Sequence, residues 1–197
     1  MQLDHLAICA ADLETGVAWA EERLGVAFGP AGRHARFGTH NRLLGLGEGL
    51  YLEVIAPESG ATVAGPRWFG LDAPPPTPCL GNWICRVPDI DAALADLPEC
   101  GEAVDLARDA LLWRISVPED GSLPMGGALP TLLQWQVDTP PGESLPPSGL
   151  RFLGLEVTHP QATALAARVQ VPGVTYRAGD GPGLSARFDT PRGVVVL

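Results

Sequence analysis

The sequence predicts an α+β protein in which paired βαβββ modules form a cupped, mixed sheet. Two observations predict this class. A short strand followed by a small amphipathic helix occurs three times, at 3–24, 81–97 and 152–169, and further strand-like segments follow each copy. The lengths of the copies are too unequal for a solenoid, whose repeats are nearly identical in length. We therefore expect two paired modules and a third C-terminal segment of similar βαβββ order.

Composition bounds the size and the partners of the protein. The 197 residues are 46% apolar and 18% charged, which is enough to bury one core without disulfides or metal. The net charge is −10, the pI is near 4.7, and every basic residue is arginine. Clustered positive charge is what binds phosphates, so we expect no nucleic acid and no anionic membrane as partner. The chain also lacks an apolar run of about 20 residues that could span a bilayer.

Four cysteines occur at positions 9, 79, 85 and 100, without the close pairs typical of zinc sites. The chain starts with a strand pattern instead of a charged and then apolar leader. We therefore predict a cytoplasmic protein with reduced thiols. Each cysteine is interpreted as a small buried apolar residue.

The first module is predicted over 1–58. A strand at 3–10 is followed by Asp12, whose side chain can cap a helix, and Gly25 stands where a left-handed C-terminal cap is expected. Strands are predicted at 40–46 and 50–56, with a weaker candidate near Ala35. The helix carries apolar residues at helical spacing: Leu13, Val17, Ala20 and Leu24.

The later modules are predicted over 80–138 and 150–197. Two Pro-rich stretches, 59–79 and 139–149, are interpreted as linkers because proline removes backbone donors and fixes φ. In the second module Asp89 is the predicted helix cap, and in the third Pro160 is placed in the first turn of the helix. Strands are predicted at 82–87, 111–117, 131–137, 153–158, 174–177, 185–188 and 194–197.

Six short motifs follow one another along the predicted strands: Leu3-Asp4-His5-Leu6, Gly32-Arg33-His34, Gly38-Thr39-His40-Asn41, Tyr51-Leu52-Glu53, Leu112-Trp113-Arg114 and Leu133-Gln134-Trp135. Together with the βαβββ order, they resemble the vicinal oxygen chelate superfamily, and within it the glyoxalase-like domain family. The resemblance covers nearly the whole chain, and the order and spacing of the motifs make it fairly specific.

The resemblance implies a divalent metal held in the cup by the first and last strands of each module. His5 and Glu53 match the two positions of the first module, and strand alternation independently directs each to one face of its strand. Imidazole and carboxylate suit Zn, Fe, Ni or Mn. Aligning the modules sets Asn82 opposite His5 and Gln134 opposite Glu53. Two amides bind transition metals weakly, so hydrogen bonding by His5 and Glu53 without metal is the alternative.

Other residues are candidates for a pocket. Glu53 and His34 are the candidate catalytic groups, because a carboxylate or an imidazole can move a proton. Arg33 and Arg114 are candidate anchors for a substrate carboxylate. Asn41 could bind a polar substrate or its own backbone. At least one tryptophan is expected to form an apolar wall of the pocket; the candidates are Trp83, Trp113 and Trp135.

Two functional hypotheses follow. The first is a glyoxalase-like lyase, isomerase or dioxygenase that acts on a small organic molecule with metal assistance. The second is a binding protein on the same fold that sequesters a small apolar or aromatic ligand. A P-loop and a Gly-x-Ser-x-Gly elbow are both absent, which argues against nucleotide-dependent and serine hydrolase chemistry. Pairing of modules within one chain or across a homodimer stays open.

Overall fold

The computed structural model describes all residues, 1–197, and contains two sheets. The larger sheet has eight strands in the order β2-β3-β4-β1-β5-β8-β7-β6, and the smaller has four in the order β10-β9-β11-β12. The strands are β1 Gln2–Cys9, β2 Ala31–His34, β3 Thr39–Gly47, β4 Leu50–Pro57, β5 Cys79–Arg86, β6 Glu102–Arg108, β7 Leu111–Val117, β8 Thr131–Trp135, β9 Arg151–Thr158, β10 Val174–Arg177, β11 Gly183–Thr190 and β12 Gly193–Val196. The helices are α1 Leu13–Leu24, α2 Ile90–Asp96, α3 Pro141–Ser144 and α4 Ala162–Arg168.

The first two modules share one pattern of strand pairing. In each, the first strand pairs in parallel with the last strand of its own module, β1 with β4 and β5 with β8. The two modules join where β1 runs antiparallel to β5. The predicted cupped sheet of paired βαβββ modules is therefore confirmed. The strand β6, which the sequence pattern did not indicate, completes the βαβββ order of the second module.

The predicted helix caps account for where the helices begin and end. Asp12 accepts a hydrogen bond from the Thr15 amide, and Gly25 adopts the left-handed conformation with φ 73°. Asp89 likewise caps α2 by accepting from the amides of Asp91 and Ala92. These side chains satisfy amides that a helix N-terminus leaves without partners.

The sheet has two buried faces. On its convex face an outer core of 30 buried residues packs the sheet against the helices. On its concave face an inner cluster of 12 buried residues lines the cup. Along β1, Leu6 and Ile8 belong to the outer core while Ala7 and Cys9 belong to the inner cluster, as strand alternation requires.

The third segment has the expected element order but a different pattern of strand pairing. Its first strand β9 pairs in parallel with β10, the strand directly after the helix, and antiparallel with β11. Leu155, Val157 and Phe188 from this small sheet are buried in the outer core. The third segment therefore covers the convex side and does not extend the large sheet. Its helix begins at Ala162, so Pro160 lies before the first turn.

Both predicted linkers connect consecutive modules, and both also pack against the cup. In 59–79, Trp68 and Phe69 are buried in the inner cluster, and Trp68 stacks on Phe37 with ring centroids 4.4 Å apart. In 139–149, Ser148 bonds the carbonyl of Gly45 through its amide and its hydroxyl. These stretches therefore shape the cavity as well as joining the modules.

Three of the four cysteines are buried, whereas Cys79 is exposed. All four are free thiols, so the expectation of a buried apolar role holds for three of them. No helix is both long enough and apolar enough to cross a membrane.

Candidate functional site

The concave face of the large sheet encloses a cavity of about 430 Å³, including its open mouth. Strands of both modules and the 59–79 stretch contribute to its walls. It is lined by His5, His34, Asn41, Leu43, Tyr51, Glu53, Trp68, Phe69, Arg108, Leu111, Trp113, Ile115, Leu133, Trp135 and Pro141. Most of these side chains are apolar, and the polar ones converge on one wall, which is the usual character of a small-molecule site.

His5 lies in the cavity wall with its ring held on two sides. Its Nδ1 lies 2.7 Å from a carboxylate oxygen of Asp4, and its ring stacks on Tyr51 at 4.4 Å between centroids. An ionised carboxylate only accepts hydrogen bonds, so Nδ1 carries the hydrogen and Nε2 is the nitrogen left for chemistry. Burial raises the pKa of the Tyr51 phenol, which keeps this stacking partner neutral.

A β-bulge explains how neighbouring residues reach each other. Regular alternation would point Asp4 and His5 to opposite faces of β1, but the pairing with β5 shifts register between Leu3 and His5, leaving Asp4 as the extra residue. Asp4 is buried, and its second oxygen accepts from the indole Nε1 of Trp135 at 3.0 Å. The bulge thus places a fully buried carboxylate directly behind the histidine.

Glu53 is the second acid–base group of the cavity. One of its oxygens lies 3.6 Å from His5 Nε2, and the other accepts from Asn41 Nδ2 at 2.5 Å. Both Glu53 and Asn41 are almost completely buried. The carboxylate is therefore fixed by an amide on one side and faces the imidazole on the other.

The two edge strands of the sheet meet at the mouth of the cavity. Arg108, the last residue of β6, lies with its Nη1 3.2 Å from His34 Nε2 on β2 and 3.4 Å from Asn41 Oδ1 on β3. β2 and β6 are the opposite edges of the eight-stranded sheet, so the sheet curls until it is nearly closed. Arg108 bridges the gap between the edges.

His34 is held as a neutral imidazole. Its Nδ1 lies 3.2 Å from the hydroxyl of Thr39, and its Nε2 faces the guanidinium of Arg108. Burial, followed by the positive charge of Arg108 and then by His5, lowers the pKa of His34 to about 3. Because the guanidinium can only donate, Nε2 must be the acceptor nitrogen. His34 is therefore suited to positioning Arg108 and not to moving protons near neutral pH.

Two of the three candidate tryptophans line the cavity, together with one that was not predicted. Trp113 and Trp135 are in tilted contact at 5.7 Å between centroids, and Trp68 donates its indole N–H to Thr39. Trp83 instead lies in the outer core, where its Nε1 donates to the carbonyl of Gly127.

Several other predicted site residues also lie outside the cavity. Gln134 points to the convex side, where it bonds the Pro88 carbonyl and the Ile90 amide at the start of α2. Asn82 is buried, and its amide nitrogen donates to the hydroxyl of Thr131. These placements correct the expected second pair of metal ligands.

Both predicted arginine anchors face away from the cavity. Arg33 is 76% exposed in its side chain and pairs with Glu58. Arg114 is bound by Asp91 through two hydrogen bonds, at 2.6 and 2.9 Å. Neither side chain contributes to the cavity wall. The arginine that lines the cavity is Arg108.

The donor set of the cavity does not fit a divalent metal. No three of the His, Cys, Asp and Glu side chains lie close enough together to share an ion. His5 and Glu53 are the only facing pair of ligand types, since His34 Nε2 faces a cation and the second oxygen of Glu53 is bound to Asn41. A tetrahedral site needs at least three protein ligands, and catalytic zinc sites have three.

Two charged residues of the site, Asp4 and Arg108, were also not predicted from the sequence. Asp4 stands inside a quoted motif, yet alternation sends it to the wrong face unless the bulge is known. Arg108 follows Val104 and Leu106 at every second position of β6, which was the signal that could have placed all three on one face.

Comparison with known proteins gives a family and a set of distant structural neighbours. A model of the glyoxalase-like domain matches residues 3–172. Solved structures with similarity include the methylmalonyl-CoA epimerase of Mycobacterium tuberculosis, with 21% identity and a TM-score of 0.42 over 68% of this chain and 86% of that one. A variant of the Streptomyces coelicolor methylmalonyl-CoA epimerase in complex with 2-nitronate-propionyl-CoA has 15% identity and a TM-score of 0.45 over 70% and 99%.

A protein from Bacillus halodurans whose activity is not named has 16% identity and a TM-score of 0.44, over 71% of this chain and 96% of that one. A search of curated proteins found no match. The family model covers well over half of the residues. This chain therefore belongs to the glyoxalase-like domain family.

Proposed function

We propose that this protein binds a small apolar or aromatic organic molecule in the cup and catalyses a proton transfer on it, as an isomerase does. The observation that carries the proposal is the buried array in which Asp4 stands behind His5, and His5 faces Glu53, in the wall of a cavity lined mostly by apolar and aromatic side chains. Apolar walls with a few converging polar groups are typical of sites that bind and orient small molecules. Closely spaced acid–base groups supply the chemistry.

His5 is the proposed acid–base residue, and Asp4 is its positioning residue. Asp4 holds the Nδ1–H, so the lone pair of Nε2 faces the cavity and can take a proton from a carbon next to a carbonyl. The electron pair of the broken C–H bond moves onto the carbonyl oxygen as an enolate. The proton then returns from His5 to carbon, in a new position or on a new face.

Glu53 supports this cycle from the other side of His5. Its oxygen at 3.6 Å from Nε2 stabilises the imidazolium that forms when His5 takes the proton. Asp4 stabilises the same cation through Nδ1. Both contacts come from side chains of this chain, so this support needs no metal ion.

The test is hydrogen exchange at carbon. The purified protein, treated with a chelator, is incubated in D₂O with small aryl-substituted ketones and aldehydes, and the loss of the proton next to the carbonyl is followed by NMR. We expect acceleration by the wild-type protein, a loss of about 100-fold or more in His5→Ala, and a smaller loss in Asp4→Asn. His159→Ala, which removes a histidine that lies between β9 and α4 and outside the cavity, is the matched control and should retain full activity.

An exchange rate that depends on added Zn, Fe, Ni or Mn would contradict the metal-independent mechanism. Equal rates for wild type and His5→Ala would contradict the assigned base. His5→Ala and Asp4→Asn should first be shown to unfold at the same temperature as the wild type, so that a lower exchange rate reports on chemistry and not on folding.

A non-catalytic binding protein is the second candidate, and one observation favours it. Glu53 accepts from Asn41, and Asp4 accepts from His5 and Trp135, so both buried carboxylates have hydrogen-bond donors without a substrate. A binder should be stabilised by ligand in the wild type without any exchange at carbon.

A further inference from the structure

We infer that the ligand of this cavity carries a carboxylate, and that Arg108 is the residue that binds it. The inference deepens the proposed function, because it rests on the cavity being a small-molecule site. It names the chemical class of the ligand: a small organic acid with an aromatic or apolar body. The anionic group would lie at the mouth and the body inside the cup.

Arg108 has no carboxylate partner within the chain. Nine of the thirteen arginines pair with a carboxylate of this chain. Arg108 has none, although the chain has an excess of acidic residues and Arg108 is partly buried. The other arginines without such a partner are all exposed to water: Arg36, Arg187 and Arg192. A partly buried guanidinium without a carboxylate is costly unless an anion joins it.

The second argument is the geometry of the guanidinium. Both of its hydrogen bonds, to His34 Nε2 and Asn41 Oδ1, use Nη1 and reach neutral acceptors at 3.2 and 3.4 Å. Nη2 and Nε have no acceptor in the protein. Two adjacent free N–H donors match the two oxygens of a carboxylate, which arginine binds in a bidentate manner.

The third argument is the position of Arg108 between two spaces. It lines the inner cavity, and it also lines an outer groove formed by the 29–33 stretch and by Asp109. Asn41 is shared by both spaces as well. Any molecule entering the cup from this groove passes the guanidinium, and Asn41 links it to Glu53 through a single amide group.

Gly32 makes room for this arrangement. A Cβ atom built at Gly32 would lie 2.6 Å from both Arg108 Nη1 and Asn41 Oδ1. Its backbone is not in the left-handed region, so alanine is sterically acceptable to the main chain itself. Gly32→Ala therefore displaces the guanidinium while keeping the charge, which provides a second perturbation independent of Arg108→Gln.

The experiment compares acids with amides of the same shape. Benzoate, phenylacetate and phenylpropionate are titrated against the full chain alongside benzamide, phenylacetamide and phenylpropionamide, with tryptophan fluorescence and calorimetry as readouts. We expect at least one acid to bind more tightly than its amide. Arg108→Gln should weaken that acid by about 10- to 100-fold and leave the amide nearly unchanged. Gly32→Ala should shift the acid in the same direction.

Arg33→Gln is the matched control, because it removes one positive charge from the outer groove without touching the inner cavity. Its affinity for the acid should stay within about twofold of wild type, since exposed charges are screened. A net charge of −10 repels anions, so a preference for the acid reports on the local site.

The inference is overturned if no acid binds more tightly than its amide, if no probe binds at all, or if Arg33→Gln weakens the acid as much as Arg108→Gln. Failure of the proposed function is a separate result. An acid that binds through Arg108, with no exchange at carbon in any substrate, would leave the anchor in place and support the binding protein.

Discussion

Mild acid should destabilise this protein through a proton that His34 takes up only when the chain unfolds. In the folded protein the ring lies against Trp68 and faces the Arg108 guanidinium, and its pKa falls from 6.5 to about 3. Burial is the largest cause and the charge of Arg108 the second. In the unfolded chain neither acts, so the imidazole there titrates with an ordinary pKa.

The sign and the size of this destabilisation follow from the difference in proton binding between the folded and the unfolded protein. Between about pH 6.5 and about pH 3 the unfolded state binds a proton at His34 that the native state does not, so stability falls as the pH falls. Each pH unit in this window costs about 1.4 kcal/mol, and lowering the pH to about 4.5 should cost about 2–3 kcal/mol. The ring is partly accessible to water, so this is an upper value.

The assay is urea unfolding of wild type and of His34→Gln at several pH values between about 7 and 4.5. The difference between the two proteins isolates His34, because the other titrating groups are the same. Wild type should lose stability more steeply towards acid, and Arg108→Gln should show an intermediate slope because burial still acts. Equal slopes for wild type and His34→Gln, or an NMR titration of His34 near 6.5, would refute the reasoning.

Three further outcomes concern the scaffold. Gly16→Ala should destabilise the protein by about 1 kcal/mol despite the better helix propensity of alanine, because the new Cβ would lie 2.7 Å from the Cβ of Ala10. Urea unfolding measures this loss of stability, and a stabilised variant would contradict the prediction. Asp12→Ala should cost about 1 kcal/mol by the same measurement, through the lost cap of α1, and no loss would speak against the cap. Deletion of 150–197 should expose the outer core and cause aggregation in size-exclusion chromatography, whereas a folded monomer would contradict that.

Much of the fold could be predicted because local signals agree with tertiary structure. The first helix was predicted where it occurs, since Asp12 and Gly25 each act within a few residues. The strand β6 was missed because its half-exposed pattern mixes charged and apolar residues, as a strand at the edge of a sheet does. The strand pairing of the third segment could not be predicted. There β9 pairs in parallel with β10 and not with β12, the last strand of the segment, and this choice depends on packing against the convex face.

The site divides in the same way. The family resemblance placed His5 and Glu53 in the cup, and the cavity contains both. Alternation failed for Asp4, because a bulge is a relation between two strands and leaves no mark in one of them. Strand alternation also could not predict the contact between Arg108 and His34. That contact exists only because the sheet curls far enough for its two edges to meet.

The closure of the sheet couples acid stability to ligand binding. Arg108 lowers the pKa of His34, and a carboxylate bound to Arg108 would neutralise that influence. The pKa of His34 should therefore rise when an aromatic acid binds. At a pH of about 4 the acid is itself partly protonated and releases that proton when it binds as the carboxylate, so the expected signal is a difference: wild type should take up more protons, or release fewer, than His34→Gln. Calorimetry of phenylacetate binding in two buffers of different ionisation enthalpy measures this exchange, and the neutral amide should show none. Equal proton exchange in wild type and His34→Gln would mean that the bound anion does not act on His34, and the link between the mouth of the cavity and the acid sensitivity of the fold would be wrong.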